Sequence, residues 1–420
     1  METIKQGLFA AAAAAFALTA AAKPSFNLDD RLYAAPGLEC NFYFGSGFES
    51  VTPEAYAFDV DAKVGRCENR RWTWTPSAAD AGRRERVVFR VWNDFGLVAS
   101  HTVTVEVASQ AGDRLRKVTA ALFADSLTNA RYQDRILEAM RDAGWANYTP
   151  VGMRTGPSST PWGRYAPGEA AHDGYGGFTA YSFLERYAVA VDEIDNAQSA
   201  AEREQLERFG ERIPAGQDWR RGLLKSPLIR LEGGKKVVDV QMWLDRVNGG
   251  AAPDFLFVYL GINGTCAALE DGLEAACDTA VSNLGKLIAK VRAVAPKTVI
   301  AVGSCVIGCD QDAFGKNYGC KISAVQCHRN MFRLNRRYMQ FVRELRAAGD
   351  TRVEYVPVGS AIDPVHGYIA ETVPAFVHAK GKVTRLANAV HPSLEGGRQL
   401  GDAWAAWLLW HLGSRSAARD

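Results

Sequence analysis

The sequence lacks a long apolar run beyond its N-terminal segment, and it lacks a marked excess of charge of either sign. After residue 22 no stretch reaches the roughly 18 apolar residues that a membrane-spanning helix needs, so no membrane span is expected. Its 49 Lys and Arg residues nearly balance 47 Asp and Glu residues, which gives a formal net charge of +2. A dedicated nucleic-acid-binding protein needs a concentrated basic face, so nucleic acid is not expected as a partner.

The N-terminal segment has the pattern of an export signal. Lys5 supplies a short positive region, residues 8–18 are Ala-rich and apolar, and residues 20–22 form a small-residue cleavage site. The alternative is an ordinary Ala-rich helix. We expect residues 1–22 to be a signal peptide and the mature protein to be exported, to the periplasm or outside the cell. No Cys follows the run, so a lipoprotein anchor is not expected.

The eight cysteines fit an oxidising compartment. Cys40 is expected to pair with Cys67, and Cys266 with Cys277 across a short acidic loop. A third group has three possible pairings and comprises Cys305, Cys309, Cys320 and Cys327. A four-thiolate zinc site is the alternative for this group, but its spacings lack the usual close Cys pairs. We therefore expect disulfides and no metal.

Two domains are expected because 420 residues exceed one typical core. Residues 23–110 alternate apolar and polar side chains, as in Val103, Val105 and Val107, which is typical of half-buried strands. This segment resembles a small all-β immunoglobulin-like sandwich in pattern, without a diagnostic motif.

Residues 116–412 instead alternate apolar strands with amphipathic helices, which predicts a parallel sheet covered by helices on both faces. Residues 188–234, approximately, break this rhythm and are expected to form an insertion. That insertion is either a solvated surface excursion or a wall of the substrate site.

Two strings with reactive or polar side chains follow buried strands. Ser126 lies in FADSLTN, where unpaired N–H groups at the start of a helix could stabilise negative charge. Asn263 lies in VYLGINGT, at a strand end where ligand sites of α/β sheets collect. Taken singly, a helix cap at Asp125 or Ser126 and an Asn-Gly turn are the alternatives.

Two further strings could complete a site. Glycine in HDGYGGFT lets a backbone N–H approach a substrate closely, although a flexible turn is the plainer interpretation. His391 lies in NAVHPS before the last helix and could serve as the base that takes a serine proton. A structural histidine is the alternative there.

In this order, ADSL, the glycine of HDGYGGFT, GIN and VHP resemble the four blocks of the SGNH (GDSL-type) hydrolases. The resemblance implies a flavodoxin-like three-layer α/β/α sandwich and ester hydrolysis through an acyl-serine. It implies that Ser126 is the nucleophile and His391 the base. The oxyanion would be bound by the N–H of Ser126, Gly177 and Asn263. Residues 311–319, QDAFGKNYG, also look like a signature of exported bacterial members.

The chain departs from the family at two positions. Ala124 stands where the first block usually has Gly, and Asn388 stands where an acid usually precedes the histidine by three residues. That acid normally fixes the tautomer of the imidazole and stabilises its cation. We expect either a backbone carbonyl near Asn388 or the carboxylate of Asp363 to orient His391 instead.

The sequence favours an acylated carbohydrate as substrate, with an O-acetyl ester first in line. Aromatic residues with polar neighbours suit sugar rings, and those around the glycine string are Trp162, Tyr165, Tyr175, Phe178 and Tyr181. Asp125, Tyr175 and Phe178 are expected to contact the substrate. The alternatives are a general short-chain esterase or lipase and, because of Asn388, a catalytically impaired glycan-binding protein. The proposed chemistry needs no cofactor, and the sequence leaves the oligomeric state open.

Overall fold

The computed structural model describes most of the chain, in the ranges 24–158, 166–190, 194–197, 199–213 and 225–417. The predicted signal peptide, Trp162, Tyr165 and part of the predicted insertion lie outside the described residues.

The N-terminal strands form two sheets. In chain order they are β1 (Arg31–Ala34), β2 (Cys40–Tyr43), β3 (Ala57–Ala62), β4 (Arg66–Cys67), β5 (Arg71–Trp74), β6 (Arg84–Asn93) and β7 (Gly96–Val107). One sheet has the order β1-β7-β6-β3 and the other β2-β5-β4. Only the pair of β1 with β7 is parallel. We call residues 31–107 the N-terminal sandwich.

Alternating side chains build the core of this sandwich. Val87, Phe89 and Val91 of β6 are buried, as are Val103 and Val105 of β7, because alternate residues of a strand point to one face. Together with aromatic residues from both sheets they form one hydrophobic cluster. That the sandwich is immunoglobulin-like, with a boundary near residues 110–116, stays a prediction.

The remaining strands follow a different plan. They are β8 (Val118–Ala124), β9 (Tyr148–Val151), β10 (Asp173–Gly174), β11 (Ala188–Ala190), β12 (Glu211–Ile213), β13 (Ile229–Glu232), β14 (Lys235–Val238), β15 (Phe255–Tyr259), β16 (Val299–Gly303), β17 (Val353–Val356), β18 (Ala370–Pro374) and β19 (Lys382–Leu386). The main sheet has the order β10-β8-β15-β16-β17, with β9 also paired to β8. All its pairs are parallel. With β9 and β10 sharing the second position, this is the flavodoxin-like order 2-1-3-4-5.

Helices cover this sheet in two groups. Within the described residues the helices are, in chain order, α1 (Phe44–Gly47), which lies in the N-terminal sandwich, α2 (Tyr132–Asp142), α3 (Ala180–Glu185), α4 (Ala200–Phe209), α5 (Val240–Asn248), α6 (Ile262–Thr265), α7 (Leu273–Val294), α8 (Gln311–Tyr318), α9 (Ala324–Ala347) and α10 (Leu394–Ala417). Helix α10 packs on α2, whereas α7 packs on α3 and α9. Strands β8, β15 and β16 are buried along their whole length, as expected where helices cover both faces of a sheet. The predicted mixed α/β architecture with a parallel sheet is confirmed.

The described part of residues 188–234 does not join the main sheet. Strand β11 pairs with β12, and β13 pairs with β14, so each forms a separate two-stranded sheet. No helix among the described residues is both long and apolar enough to cross a membrane.

The structure corrects the predicted disulfides. Cys266 is bonded to Cys327, with their Cα atoms 4.5 Å apart, and within the described residues the other six cysteines are free. Cys40 lies on β2 and Cys67 on β4, with β5 between them, which puts them about 10 Å apart and out of disulfide reach. Cys277 lies in helix α7 and not at the end of a loop. The bond of Cys327 also removes it from a four-thiolate zinc site.

Candidate active site

Ser126 lies directly after the central strand β8. It begins a 3-10 turn, Ser126–Ala130, which is capped by Asp125: the Asp125 carboxylate accepts a hydrogen bond from the N–H of Leu127 at 2.9 Å. The carboxyl ends of parallel strands meet at one edge of a sheet. Ser126 after β8 and Asn263 after β15 therefore lie at the same edge.

The Ser126 hydroxyl and the His391 ring are in hydrogen-bond contact. Ser126 Oγ lies 2.8 Å from His391 Nε2, although the two residues are 265 positions apart in the chain. The structure thus brings the predicted nucleophile and base together. Both residues are half-buried, so the pair remains open to a substrate.

The side chain of Asn388 orients His391. Its Oδ1 lies 3.1 Å from His391 Nδ1 and also accepts hydrogen bonds from the backbone N–H groups of His391 at 2.9 Å and Val390 at 3.3 Å. Because two backbone donors face this atom, it must be the amide oxygen, and Nδ1 must carry a hydrogen. His391 Nε2 is then left as the acceptor for the Ser126 hydroxyl. Burial lowers the pKa of His391 below its ordinary value, which favours the neutral ring that a base requires.

Asp363 does not contact the His391 ring, contrary to one of our two expectations. Its carboxylate is engaged by Arg70, with Nη2 to Oδ2 at 3.2 Å, and by the backbone N–H groups of Val365 and His366. The expected backbone carbonyl is also not the partner of the ring, since the Asn388 side chain has that position.

Asn263 links the 3-10 turn Ser126–Ala130 to the loop that carries Gly177. Its Nδ2 donates to Asp125 Oδ2 at 3.1 Å and to the Phe178 carbonyl at 3.0 Å. These partners are the chain neighbours of Ser126 and Gly177, so Asn263 lies close to the segments that carry both residues. Gly177 is exposed and has φ +75°, a left-handed conformation that favours glycine.

Three residues expected to contact the substrate are instead buried. Asp125, Tyr175 and Phe178 have no exposed surface. Burial raises the pKa of Asp125 to about 7. The Tyr175 hydroxyl donates to Asp173 Oδ1 at 2.5 Å, and the Phe178 ring packs 4.6 Å from that of Tyr175. The strings showed that Tyr175 and Phe178 lie near Gly177 and that Asp125 precedes Ser126, but not which way each side chain faces.

A buried polar network holds the segment that precedes Gly177. Asp173 accepts hydrogen bonds from Tyr175 and, at 2.9 Å, from Trp243 Nε1, while the Arg154 guanidinium lies 4.1 Å from the Tyr175 ring centre. His172 Nδ1 accepts from the N–H of Gly174 at 2.9 Å. This network fixes the position of the chain segment that leads to Gly177. Sequence reasoning missed the network because its members are spread over three segments.

Sequence reasoning also missed two residues that hold the backbone around Asn388, at residues 387–389. Asn317 of α8 accepts from the N–H of Ala389 at 2.8 Å and donates to the Ala387 carbonyl at 3.2 Å. The Cys309 thiol donates to the Asn388 carbonyl at 3.1 Å. Asn317 belongs to the QDAFGKNYG string, so that string was the available signal.

A groove lies beside α6, the short helix that carries Asn263, and between α3 and α7. It has a volume of about 520 Å³. Its lining is mainly small or apolar and includes Thr179, Tyr181, Gly264, Ala276, Ala280 and Tyr338. Tyr181 is 56% exposed at this site.

Comparison with known proteins gives only distant structural similarity. No protein-family model and no curated protein match the sequence. A family 3 carbohydrate esterase from Clostridium thermocellum is 15% identical with a TM-score of 0.37, covering 71% of this chain and 100% of that one. One from Talaromyces cellulolyticus is 13% identical with a TM-score of 0.38, covering 71% and 99%.

A third similar structure spans more of the chain. A family two carbohydrate esterase from Clostridium thermocellum, in complex with cellohexaose, is 11% identical with a TM-score of 0.36. The match covers 91% of this chain and 94% of that one. At these identities and TM-scores the three proteins assign neither a family nor a substrate to this chain.

Proposed function

We propose that the chain is an exported serine esterase that hydrolyses O-acyl esters of carbohydrate, O-acetyl esters first among them. The contact of Ser126 Oγ with His391 Nε2 at 2.8 Å carries the proposal. A neutral imidazole in hydrogen-bond contact with a serine hydroxyl, and oriented by a third group, is the arrangement that activates a nucleophile.

The reaction follows from these contacts. His391 Nε2 takes the hydroxyl proton as Ser126 Oγ bonds to the ester carbonyl carbon, and the carbonyl electrons move to oxygen. That oxyanion then accepts hydrogen bonds from the N–H groups of Ser126 and Gly177 and from the amide of Asn263. For one hydrogen of Asn263 it competes with the Phe178 carbonyl. The alcohol leaves with the proton from His391, and water releases the acyl group by the same steps.

The test is hydrolysis of p-nitrophenyl acetate by the purified full chain. Ser126→Ala and His391→Ala should each lower kcat by at least about 10³-fold, because either change removes the activated nucleophile. Ser414→Ala, an exposed serine near the end of α10, is the matched control and should retain wild-type activity. Full activity of Ser126→Ala would overturn the proposal. If the wild type does not exceed the buffer rate, a glycan-binding role replaces it.

Acetate release from acetylated xylan, pectin and sialic acid then tests the carbohydrate substrate. The exposed ring of Tyr181 supports this class, since aromatic faces pack on sugar rings. The buried rings of Tyr175 and Phe178 give it no support.

A general esterase for larger acyl groups is the second candidate, and the groove beside Asn263 favours it. The leaving alcohol must lie near His391, so a groove bordered by Thr179 and Gly264 suits the acyl side. Ala280→Phe would narrow this groove. A general esterase should then lose at least tenfold in kcat/KM for p-nitrophenyl hexanoate while keeping its rate with acetate. An O-acetyl esterase should prefer acetate before and after the change.

A further inference from the structure

The loop after the 3-10 turn at Val358–Ala361 is closed by Asp363. Asp363 Oδ1 accepts hydrogen bonds from the N–H groups of Val365 at 2.8 Å and His366 at 3.1 Å, and its carbonyl accepts from Gly367 at 2.9 Å. Three hydrogen bonds to one residue give residues 363–367 a fixed shape. We call them the Asp363 turn.

The Asp363 turn contacts the segment that follows His391. The Gly367 carbonyl accepts from the N–H of Ser393 at 2.9 Å, and Tyr368 forms a β-bridge with Pro392. A Cβ on Gly396 would overlap the Gly367 carbonyl, so the backbones also pack closely. The place of the Asp363 turn therefore determines where residues 392–396 lie, and His391 directly precedes them.

The N-terminal sandwich holds the other side of this turn. Arg70 makes a two-pronged contact with the Asp363 carboxylate, Nη1 to Oδ1 at 3.4 Å and Nη2 to Oδ2 at 3.2 Å. The Ser46 hydroxyl donates to the Ile362 carbonyl at 3.1 Å. Asp363 is 9% exposed and Arg70 44% exposed, so the carboxylate is nearly buried under the guanidinium.

A second connection runs through Gln399. Its Oε1 accepts from the N–H of Asp363 at 2.9 Å, and its Nε2 donates to the Tyr43 hydroxyl at 3.0 Å. Gln399 belongs to α10, the helix that begins just after His391. The N-terminal sandwich thus reaches the Asp363 turn directly through Arg70 and indirectly through Tyr43.

We infer that Arg70 of the N-terminal sandwich and Asp363 are positioning residues that hold His391 against Ser126. The inference rests on the proposed function. Neither residue contacts the His391 ring, so neither is catalytic. Without Arg70 the nearly buried Asp363 carboxylate loses its cation and must move towards water, which releases the turn and the segment after His391. A misplacement of about 1 Å at a reacting group can lower a rate about 10²-fold.

The experiment compares Arg70→Met, Arg70→Lys and Asp363→Asn in the full chain, with p-nitrophenyl acetate as substrate. Arg70→Met should lower kcat about tenfold or more with KM within about twofold. Arg70→Lys should recover part of the loss, because it restores the charge but not both hydrogen bonds. Arg66→Met is the matched control: Arg66 is 75% exposed and pairs only with Glu68 among the described residues, so its kcat should not change.

Two further measurements separate positioning from a loss of folding. Each variant is assayed at a temperature where circular dichroism shows the wild-type fold, and the rate of Ser126 labelling by phenylmethylsulfonyl fluoride is measured. Labelling should slow in parallel with kcat, because it needs the same proton transfer to His391. The double variant Arg70→Met/Asp363→Asn should be no slower than the slower single variant, since both changes break one contact.

The outcomes distinguish this inference from the proposed function. If the wild type neither hydrolyses acetate nor reacts with the sulfonyl fluoride, the proposed function fails. If the wild type does both and folded Arg70→Met keeps its kcat and labelling rate, this inference alone is overturned. Additive losses in the double variant would also overturn it.

Discussion

At the residue scale, the site depends on an amide where an acid is usual. Replacing the acid by Asn is damaging in a serine protease because the imidazole then takes the wrong tautomer. Here the backbone N–H groups of Val390 and His391 hold Asn388 Oδ1 towards the ring, so the tautomer is correct. What Asn388 lacks is only the negative charge.

We predict that Asn388→Asp raises kcat/KM about tenfold at pH 8. A carboxylate accepts the same three hydrogen bonds and stabilises the imidazolium by its charge, which also raises the pKa of His391. The base must be neutral, so activity falls as pH drops through that pKa. Burial holds the pKa of His391 below its ordinary value in the wild type. The acid limb of the pH–rate profile should therefore move to higher pH in the variant.

The matched control is Asn93→Asp, in the exposed turn where Asn93 Oδ1 accepts from the Phe95 N–H. It should leave the profile unchanged. An acid limb at the same pH in Asn388→Asp and wild type would contradict the role given to the Asn388 oxygen.

Sequence alone could locate Ser126, Asn263 and His391 because each sits beside a strand or helix with a clear apolar pattern. It could not show which group orients His391. That choice depends on tertiary contacts: the Asp363 carboxylate is engaged by Arg70, which lies 293 positions before Asp363 in the chain.

At the element scale, the short helix that carries Asn263 is fastened to α9. Cys266, directly after α6, is bonded to Cys327. Asn330, one turn along α9, donates to the carbonyls of Thr265 and Cys266 at 3.0 Å. The bridge and the amide thus hold the same loop. Cys277 was a wrong partner because the second part of the expected acidic loop forms a 3-10 turn, Glu270–Gly272, and then the first turn of α7.

We predict that Cys266→Ala/Cys327→Ala destabilises the protein by about 4 kcal/mol, because the bridge closes a 61-residue separation and restricts the unfolded chain. The measurement is urea unfolding followed by circular dichroism. We expect kcat to fall less than tenfold, since Asn330 still holds the loop. Cys320→Ala, at an exposed free cysteine, is the control. An unchanged unfolding midpoint in the double variant would show that the bridge adds no stability.

The parallel sheet was predictable at this scale because strands buried on both faces appear as continuous apolar runs, as in β15. The bounds of α7 were less predictable. Apolar residues at helical spacing are clear only from Leu284 onward, whereas the helix begins at Leu273. Its first turns lie beside the groove and carry small residues such as Ala276 and Ala280, which give no strong apolar period.

At the scale of the whole molecule, the N-terminal sandwich and the parallel-sheet region meet at a nearly buried carboxylate. Glu354 Oε2 accepts from the Tyr33 hydroxyl at 3.1 Å and from Trp407 Nε1 at 3.0 Å, and lies 3.1 Å from His411 Nε2. Tyr33 belongs to β1, whereas Trp407 and His411 belong to α10. Such contacts join single side chains far apart in the chain and have no sequence period. The role of the N-terminal sandwich was therefore not predictable from the sequence.

We predict that this carboxylate stabilises the assembled molecule in a pH-dependent way. Burial alone would raise the pKa of Glu354, but the hydrogen bonds and charge of His411, with Trp407 and Tyr33, lower it from 4.5 to about 2. A lowered pKa adds stability above the unfolded value of 4.5, and this stability is lost as pH falls through about 2. The shift corresponds to at most roughly 3 kcal/mol.

Glu354→Gln should therefore lower the free energy of unfolding at pH 7 by up to about 3 kcal/mol, and the difference from wild type should be about 1 kcal/mol smaller at pH 3.5. Urea unfolding at both pH values measures it, with Glu344→Gln on the exposed face of α9 as control. Equal differences at both pH values would mean that the charge of Glu354 adds nothing and that only its hydrogen bonds count. Because Tyr33 is one of its partners, the variant should also loosen β1 from α10, which faster amide hydrogen exchange in β1 would reveal.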